Sequence, residues 1–68
     1  MKKKYWLGTV NETDDFDDVI VDYIIDGKTK RGPWALMTKA SFTKYGIFGQ
    51  LYGKQPDGKW LFIEQVRN

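Results

Sequence analysis

Gly32-Pro33-Trp34-Ala35-Leu36-Met37-Thr38-Lys39-Ala40-Ser41-Phe42-Thr43-Lys44-Tyr45-Gly46 is the stretch on which the fold turns. Pro33 has no N–H and a fixed φ, so Gly32-Pro33 breaks any ladder that arrives from the N-terminal side. Trp34 to Met37 reads as a short strand. Thr38 is a good helix N-cap, and Met37 before it can staple to Phe42, four positions after the cap. Phe42 and Tyr45 share one helix face. Lys44 falls in the last turn, where the helix dipole favours a cation, and Gly46 is the expected C′ residue. These signals agree on one short helix over residues 39–45.

Outward from this stretch the pattern is mostly β. Residues 3–10 are rich in β-formers and read as a first strand, with the leading lysines solvating its end. Residues 19–25 alternate Val19, Val21, Tyr23 and Ile25 on one face and Ile20 and Ile24 on the other, which suits a central strand. Asp26-Gly27 then reads as a hairpin turn. Residues 47–55 are apolar but interrupted by Gly49 and Gly53, as in a bent or bulged strand. Pro56-Asp57-Gly58-Lys59 is a second turn. Residues 60–66 form the last strand, followed by a frayed Arg67 and Asn68. The expected product is an α+β, mostly β domain spanning residues 1–68. About five antiparallel strands form a strongly curved sheet or a small partly open barrel, with one short helix.

Size makes such a fold hard to stabilise. A chain of 68 residues is a single domain. It buries only about 60% of the surface that its unfolded form exposes. Eleven aromatic side chains answer this limit, since each can bury roughly 150–250 Å². Cysteine and histidine are both missing. No disulfide framework or thiolate metal site is available, and the commonest general base is absent. Ser41 is the one serine and has only lysines, Lys39 and Lys44, as partners in sequence. Nothing marks a pair of carboxylates for acid–base work. No enzymatic role, cofactor or metal is expected. Phosphate-loop spacing also fails, because Gly49 and Gly53 are separated by three residues and Gln55 follows Lys54. Gly46-Ile47-Phe48-Gly49 matches the clamp of KH-type RNA binders, but that clamp joins two helices and here a strand follows. Met1-Lys2-Lys3-Lys4 is not followed by the apolar core of a signal peptide, and no stretch approaches a membrane span. A cytoplasmic location is expected, and Asn11-Glu12-Thr13 then carries no glycan.

Charge is unevenly distributed. Residues 1–27 hold three lysines against seven carboxylates, whereas residues 28–59 hold seven cations against Asp57. The five carboxylates of residues 11–18 form an acidic loop around Phe16. It reads as a solvated connection with Phe16 folded onto the core, as a cation-binding loop, or as a contact for a basic partner. Across residues 28–59, cations interleave with Trp34, Tyr45, Phe48, Tyr52 and Trp60. Small β-barrels hold single-stranded nucleic acid in this way, although the same rings could simply fill a core.

Asp26-Gly27-Lys28-Thr29, Gly32-Pro33-Trp34-Ala35-Leu36-Met37, Phe42-x-Lys44-Tyr45-Gly46 and Gly58-Lys59-Trp60 together resemble a group of small uncharacterised proteins of bacteriophages and bacteria with a Gly-Pro-Trp-x-x-Met core. The likeness spans about residues 19–63. Two departures stand out. The segment after Tyr45-Gly46 is shorter than the glycine-rich loop of those proteins. Thr38 and its neighbours replace cysteines that many of them carry, so any metal site of theirs is lost here. The resemblance implies a phage-type accessory protein and carries no activity.

The first expectation is therefore a non-enzymatic binding module that engages a host protein or sequesters a small anionic ligand. Its candidate surface is Lys30, Arg31, Trp34, Tyr45 and Tyr52. Single-stranded nucleic-acid binding is the alternative, and a homo-oligomer pairing exposed strand edges is a third reading. Trp34 either anchors the core beneath the helix or opens a pocket beside it, and the pattern favours the anchor.

Overall fold

The computed structural model describes residues 3–68; Met1 and Lys2, part of the basic start of the chain, lie outside them. Four strands and one helix follow in the order β1 Tyr23–Thr29, β2 Trp34–Met37, α1 Lys39–Tyr45, β3 Gly46–Lys54 and β4 Trp60–Arg67. They form one antiparallel sheet in the spatial order β2-β1-β3-β4. The fold is mostly β with one short helix, as expected. The sheet has four strands rather than five, and it does not close into a barrel.

The organising stretch folds as its residues dictate. Thr38 caps α1, its hydroxyl accepting from the backbone N–H of Ser41 at 3.2 Å. Met37 and Phe42 meet in one apolar cluster with Ile25 and Leu51. Gly46 closes the helix in an extended conformation rather than a left-handed one. Glycine is needed there because a Cβ would run into the Phe42 ring.

The ladder before it differs from the sequence pattern. Asp26-Gly27 is not a turn but lies inside β1, which begins at Tyr23 and runs on to Thr29. Gly27 pairs with Gly49 across β1 and β3. A Cβ on Gly49 would come within 2.6 Å of both the Asp26 carbonyl oxygen and the Gly27 Cα, so this pair lets the two backbones approach. The true reversal follows Thr29, whose N–H donates to the Pro33 carbonyl at 3.1 Å. Gly32 supplies the positive φ, at 113°. Val19 and Val21, assigned to a strand by their alternation, are exposed and precede β1.

Residues 3–10 do not form a regular strand. They contribute one isolated bridge, Tyr5 to Leu61, flanked by hydrogen bonds from Trp6 N–H to the Trp60 carbonyl and from Phe62 N–H to the Lys4 carbonyl. Pairing ends there, and Leu7 is 96% exposed. The segment then leaves the β4 edge and crosses one face of the sheet. Trp6, Val10 and Ile20 pack there on Ile24, Tyr52 and Trp60. Helix α1 covers the other face through Phe42, which packs on Ile25, Leu51 and Met37. The domain thus has two small apolar clusters, one on each side of a single sheet. This explains why the adjacent Ile24 and Ile25, on opposite faces, are both buried.

The acidic loop completes the frame. Asp14 is 6% exposed. Its Oδ1 accepts from the N–H groups of Phe16 and Asp18 at 2.8 and 2.9 Å, and its Oδ2 from Thr38 N–H at 2.9 Å. Asp15 Oδ2 accepts from Leu36 N–H at 2.8 Å, while Asp15 N–H donates to the Leu36 carbonyl. The Thr38 hydroxyl donates to Asp18. These carboxylates therefore bind the free edge of β2 and the start of α1; the loop is docked rather than a solvated connection. Burial pushes the Asp14 carboxyl up, but hydrogen bonds from the Ser41 hydroxyl and from the Thr38, Asp18 and Phe16 backbone outweigh it. Its pKa lies below the ordinary value.

Candidate functional site

The register of the four strands puts four residues in one row across the sheet. Trp34 on β2 faces Lys28 on β1, Lys28 faces Phe48 on β3, and Phe48 faces Arg67 on β4. Aromatic and cation alternate along this row. The next row reads Leu36, Asp26, Gln50 and Gln65. The third carries Ile24, Tyr52 and Phe62, which lie beneath the N-terminal segment. The N-terminal segment covers this third row, and Leu36 of the second packs against the same cluster. The first row and the Gln50–Gln65 part of the second open onto a shallow cleft of about 240 Å³ lined by Trp34, Phe48, Gln50, Gln65 and Arg67. Trp34 is 53% exposed. Its ring meets Phe48 edge-on, with centroids 5.7 Å apart and planes at 83°.

Polar groups behind the row are held in place. Lys28 Nζ donates to the Gly32 carbonyl at 2.9 Å, which keeps its charge beside the turn. Lys4 Nζ and the Tyr52 hydroxyl both donate to Gln50 Oε1, at 2.7 and 3.0 Å. Burial raises the pKa of Asp26, and the charge of Lys4 only partly offsets it. Arg67 is not frayed, because it ends β4. Asn68 is tied down as well: its N–H donates to the Ile47 carbonyl, and its side-chain amide donates to the Phe42 and Gly46 carbonyls at 2.6 and 2.8 Å.

The five candidate residues separate. Tyr52 is 3% exposed and belongs to the core, edge-on to Trp6 and Phe62. It sits on a central strand beneath the N-terminal segment and offers no contact surface. Trp34 does not anchor the core beneath the helix: α1 covers the opposite face, and Trp34 belongs to the open row. Lys30, Arg31 and Tyr45 do come together, in a second cleft of about 380 Å³ that they share with Phe16 and Thr29. The Lys30 N–H donates to the Tyr45 carbonyl at 2.8 Å, joining the β1–β2 turn to the end of α1. Phe16 does not fold onto the core. It stacks on Tyr45 with centroids 4.3 Å apart and planes at 15°.

Both clefts lie at the same end of the sheet, on either side of the β1–β2 turn. Lys28, Lys30, Arg31 and Arg67 all belong to this end, and residues 27–34 and 45–48 contain no acidic residue. Arg67, expected to fray, and Phe16, expected to fold onto the core or to join a contact for a basic partner, stand outside the five candidates but line these clefts.

Comparison with protein-family models, with curated proteins and with solved structures finds no match to this chain. Among the described residues, no helix is long and apolar enough to cross a membrane.

Proposed function

We propose that the protein is a non-enzymatic binding module whose working surface is the Trp34–Lys28–Phe48–Arg67 row, and that its ligand is single-stranded nucleic acid. The observation that carries this reading is the half-exposed Trp34 ring beside Phe48 at the end of the sheet face that the N-terminal segment leaves open, with cations alternating along the same row. Aromatic rings on an open sheet stack on unpaired bases, and interleaved cations follow the phosphates. Base stacking of this kind contributes about 1–3 kcal/mol per base. A phage-type accessory role belongs to the same proposal; its support is the resemblance carried by the Gly32–Met37 segment.

Titration with short oligonucleotides, read by tryptophan emission, tests it. Trp60 is buried and Trp6 half-buried, so quenching reports chiefly on Trp34. The affinity should fall steeply with salt, with a log–log slope of about −1.4 to −2.1 for two or three phosphate contacts. Emission that stays unchanged at low salt would sink the proposal. An acidic host protein is the second reading, favoured by the same cluster of cations. It predicts salt-sensitive capture of an acidic protein with no response to oligonucleotide. A homo-oligomer formed through β4 instead predicts a sedimentation coefficient that rises with concentration.

A further inference from the structure

The second cleft stands apart from the open sheet face. Its wall is a ring pair contributed by two distant segments, Phe16 from the acidic loop and Tyr45 from the end of α1. Such a pair is normally found inside a core, yet both rings here remain more than a third exposed. Phe16 is held in place from behind, because its N–H donates to the buried Asp14 carboxylate. Tyr45 is held through its carbonyl by the N–H of Lys30. The exposed Lys30 and Arg31 of the turn line the same cleft together with the buried Thr29. An exposed pair of aromatic rings beside two adjacent cations matches an aromatic ligand that carries an anionic group.

The surroundings restrict that charge. Asp17 and Asp18 line the other side of the Phe16–Tyr45 pair, beside Lys44. These carboxylates lower the potential around the ring pair, so each further negative charge on a ligand is opposed. We infer that the Phe16–Tyr45–Lys30–Arg31 cleft binds a small aromatic monoanion or monophosphate ester, such as a nucleoside monophosphate, and discriminates against polyphosphates. This is the small-anionic-ligand expectation given a location and a chemical class. It does not depend on the Trp34 row.

Amide chemical-shift titrations of the whole protein separate the contributions. The probes are adenosine 5′-monophosphate, adenosine, inorganic phosphate and adenosine 5′-triphosphate. The monophosphate should shift residues 16, 29–31 and 45, and bind at least about tenfold more tightly than adenosine or phosphate alone, since ring and charge act together. The triphosphate should bind no more tightly than the monophosphate. Arg31→Gln, on the exposed turn, should weaken the monophosphate about fivefold or more and leave adenosine unaffected, because the lost contact is charge-assisted. Phe16→Leu should weaken both. Trp34→Leu should change neither, which keeps this result separate from the oligonucleotide test. Phosphate binding as tightly as the monophosphate, a triphosphate preference of about tenfold, or shifts centred on Trp34 and Phe48 would each overturn the inference.

Discussion

Replacing Asp14 tests the claim that an acidic loop serves as a structural clamp. Its carboxylate receives three backbone N–H groups, from Phe16, Asp18 and Thr38. The Thr38 donor is buried, and leaving such a donor without a partner costs about 1–3 kcal/mol. The two half-buried donors add about 0.5–1.5 kcal/mol each if they too are lost. Asp14→Asn keeps one carbonyl oxygen for Phe16 and Asp18 but turns an amide NH₂ towards the N–H of Thr38. The expected loss is therefore about 2 kcal/mol, and about 3 kcal/mol for Asp14→Ala. A domain of this size has a total stability of roughly 3–10 kcal/mol. For the asparagine variant the melting temperature should drop by about 8–16 °C, followed by circular dichroism. Acid gives a second readout. The folded pKa of Asp14 is depressed, so its contribution is complete above about pH 4 and is lost as pH falls through the folded value. The wild-type and Asp14→Asn stability curves should then converge in acid. A neutral-pH difference within about 0.5 kcal/mol, normal for a surface aspartate, would refute the clamp.

Three further outcomes follow from the fold. Asp26→Asn should be at least as stable as wild type at neutral pH: the raised folded pKa means that wild-type stability falls as pH rises from about 4 through that value, and the variant lacks this decline. Urea titrations at several pH values would show it, and a variant clearly less stable at pH 7 would contradict it. Gly49→Ala should cost about 1–3 kcal/mol, because its Cβ meets backbone atoms of Asp26 and Gly27 that cannot move aside separately; thermal melts of the variant measure this, and an unchanged midpoint contradicts it. Trp34→Ala should cost no more than about 1 kcal/mol while abolishing the fluorescence response to ligand, whereas Trp60→Ala should cost about 3–5 kcal/mol. Equal losses for the two tryptophans would mean that Trp34 is a core residue.

Local chemistry was legible where a motif carries its own geometry. The Thr38 cap, the Met37–Phe42 staple and the Pro56–Lys59 turn all appear as the residues suggest. In that turn Gly58 has φ 88°, and the Gln55 N–H donates to the Lys59 carbonyl at 2.7 Å. Reading failed where one residue type serves two purposes. Asp26-Gly27 has the composition of a hairpin turn, yet Gly27 is there to face Gly49 on a strand more than twenty positions away. Residues 3–10 have the propensities of a strand, but their pairing to β4 ends after Trp6. Of the five candidate residues, Lys30, Arg31 and Tyr45 lie together, since one turn and one helix end bring them to the same cleft. Tyr52 was misplaced because its neighbours in space depend on which segment covers the sheet. The Trp34–Lys28–Phe48–Arg67 row needs the order β2-β1-β3-β4, and no local pattern contains that order.

Strand β1 lies between two strands and between two apolar clusters. It pairs with β2 on one side and β3 on the other, carries Ile24 under the N-terminal segment and packs Ile25 among Met37, Phe42 and Leu51. Each contact comes from a different region of the chain, so no shorter fragment can supply them all. The β1–β2 hairpin can form early, but it stays without a covered face until α1 and β3 arrive. Unfolding should therefore be all-or-none, with the two apolar clusters melting together. A chain cut anywhere between the N-terminal segment and β3 should behave as an unfolded polymer rather than as a smaller domain.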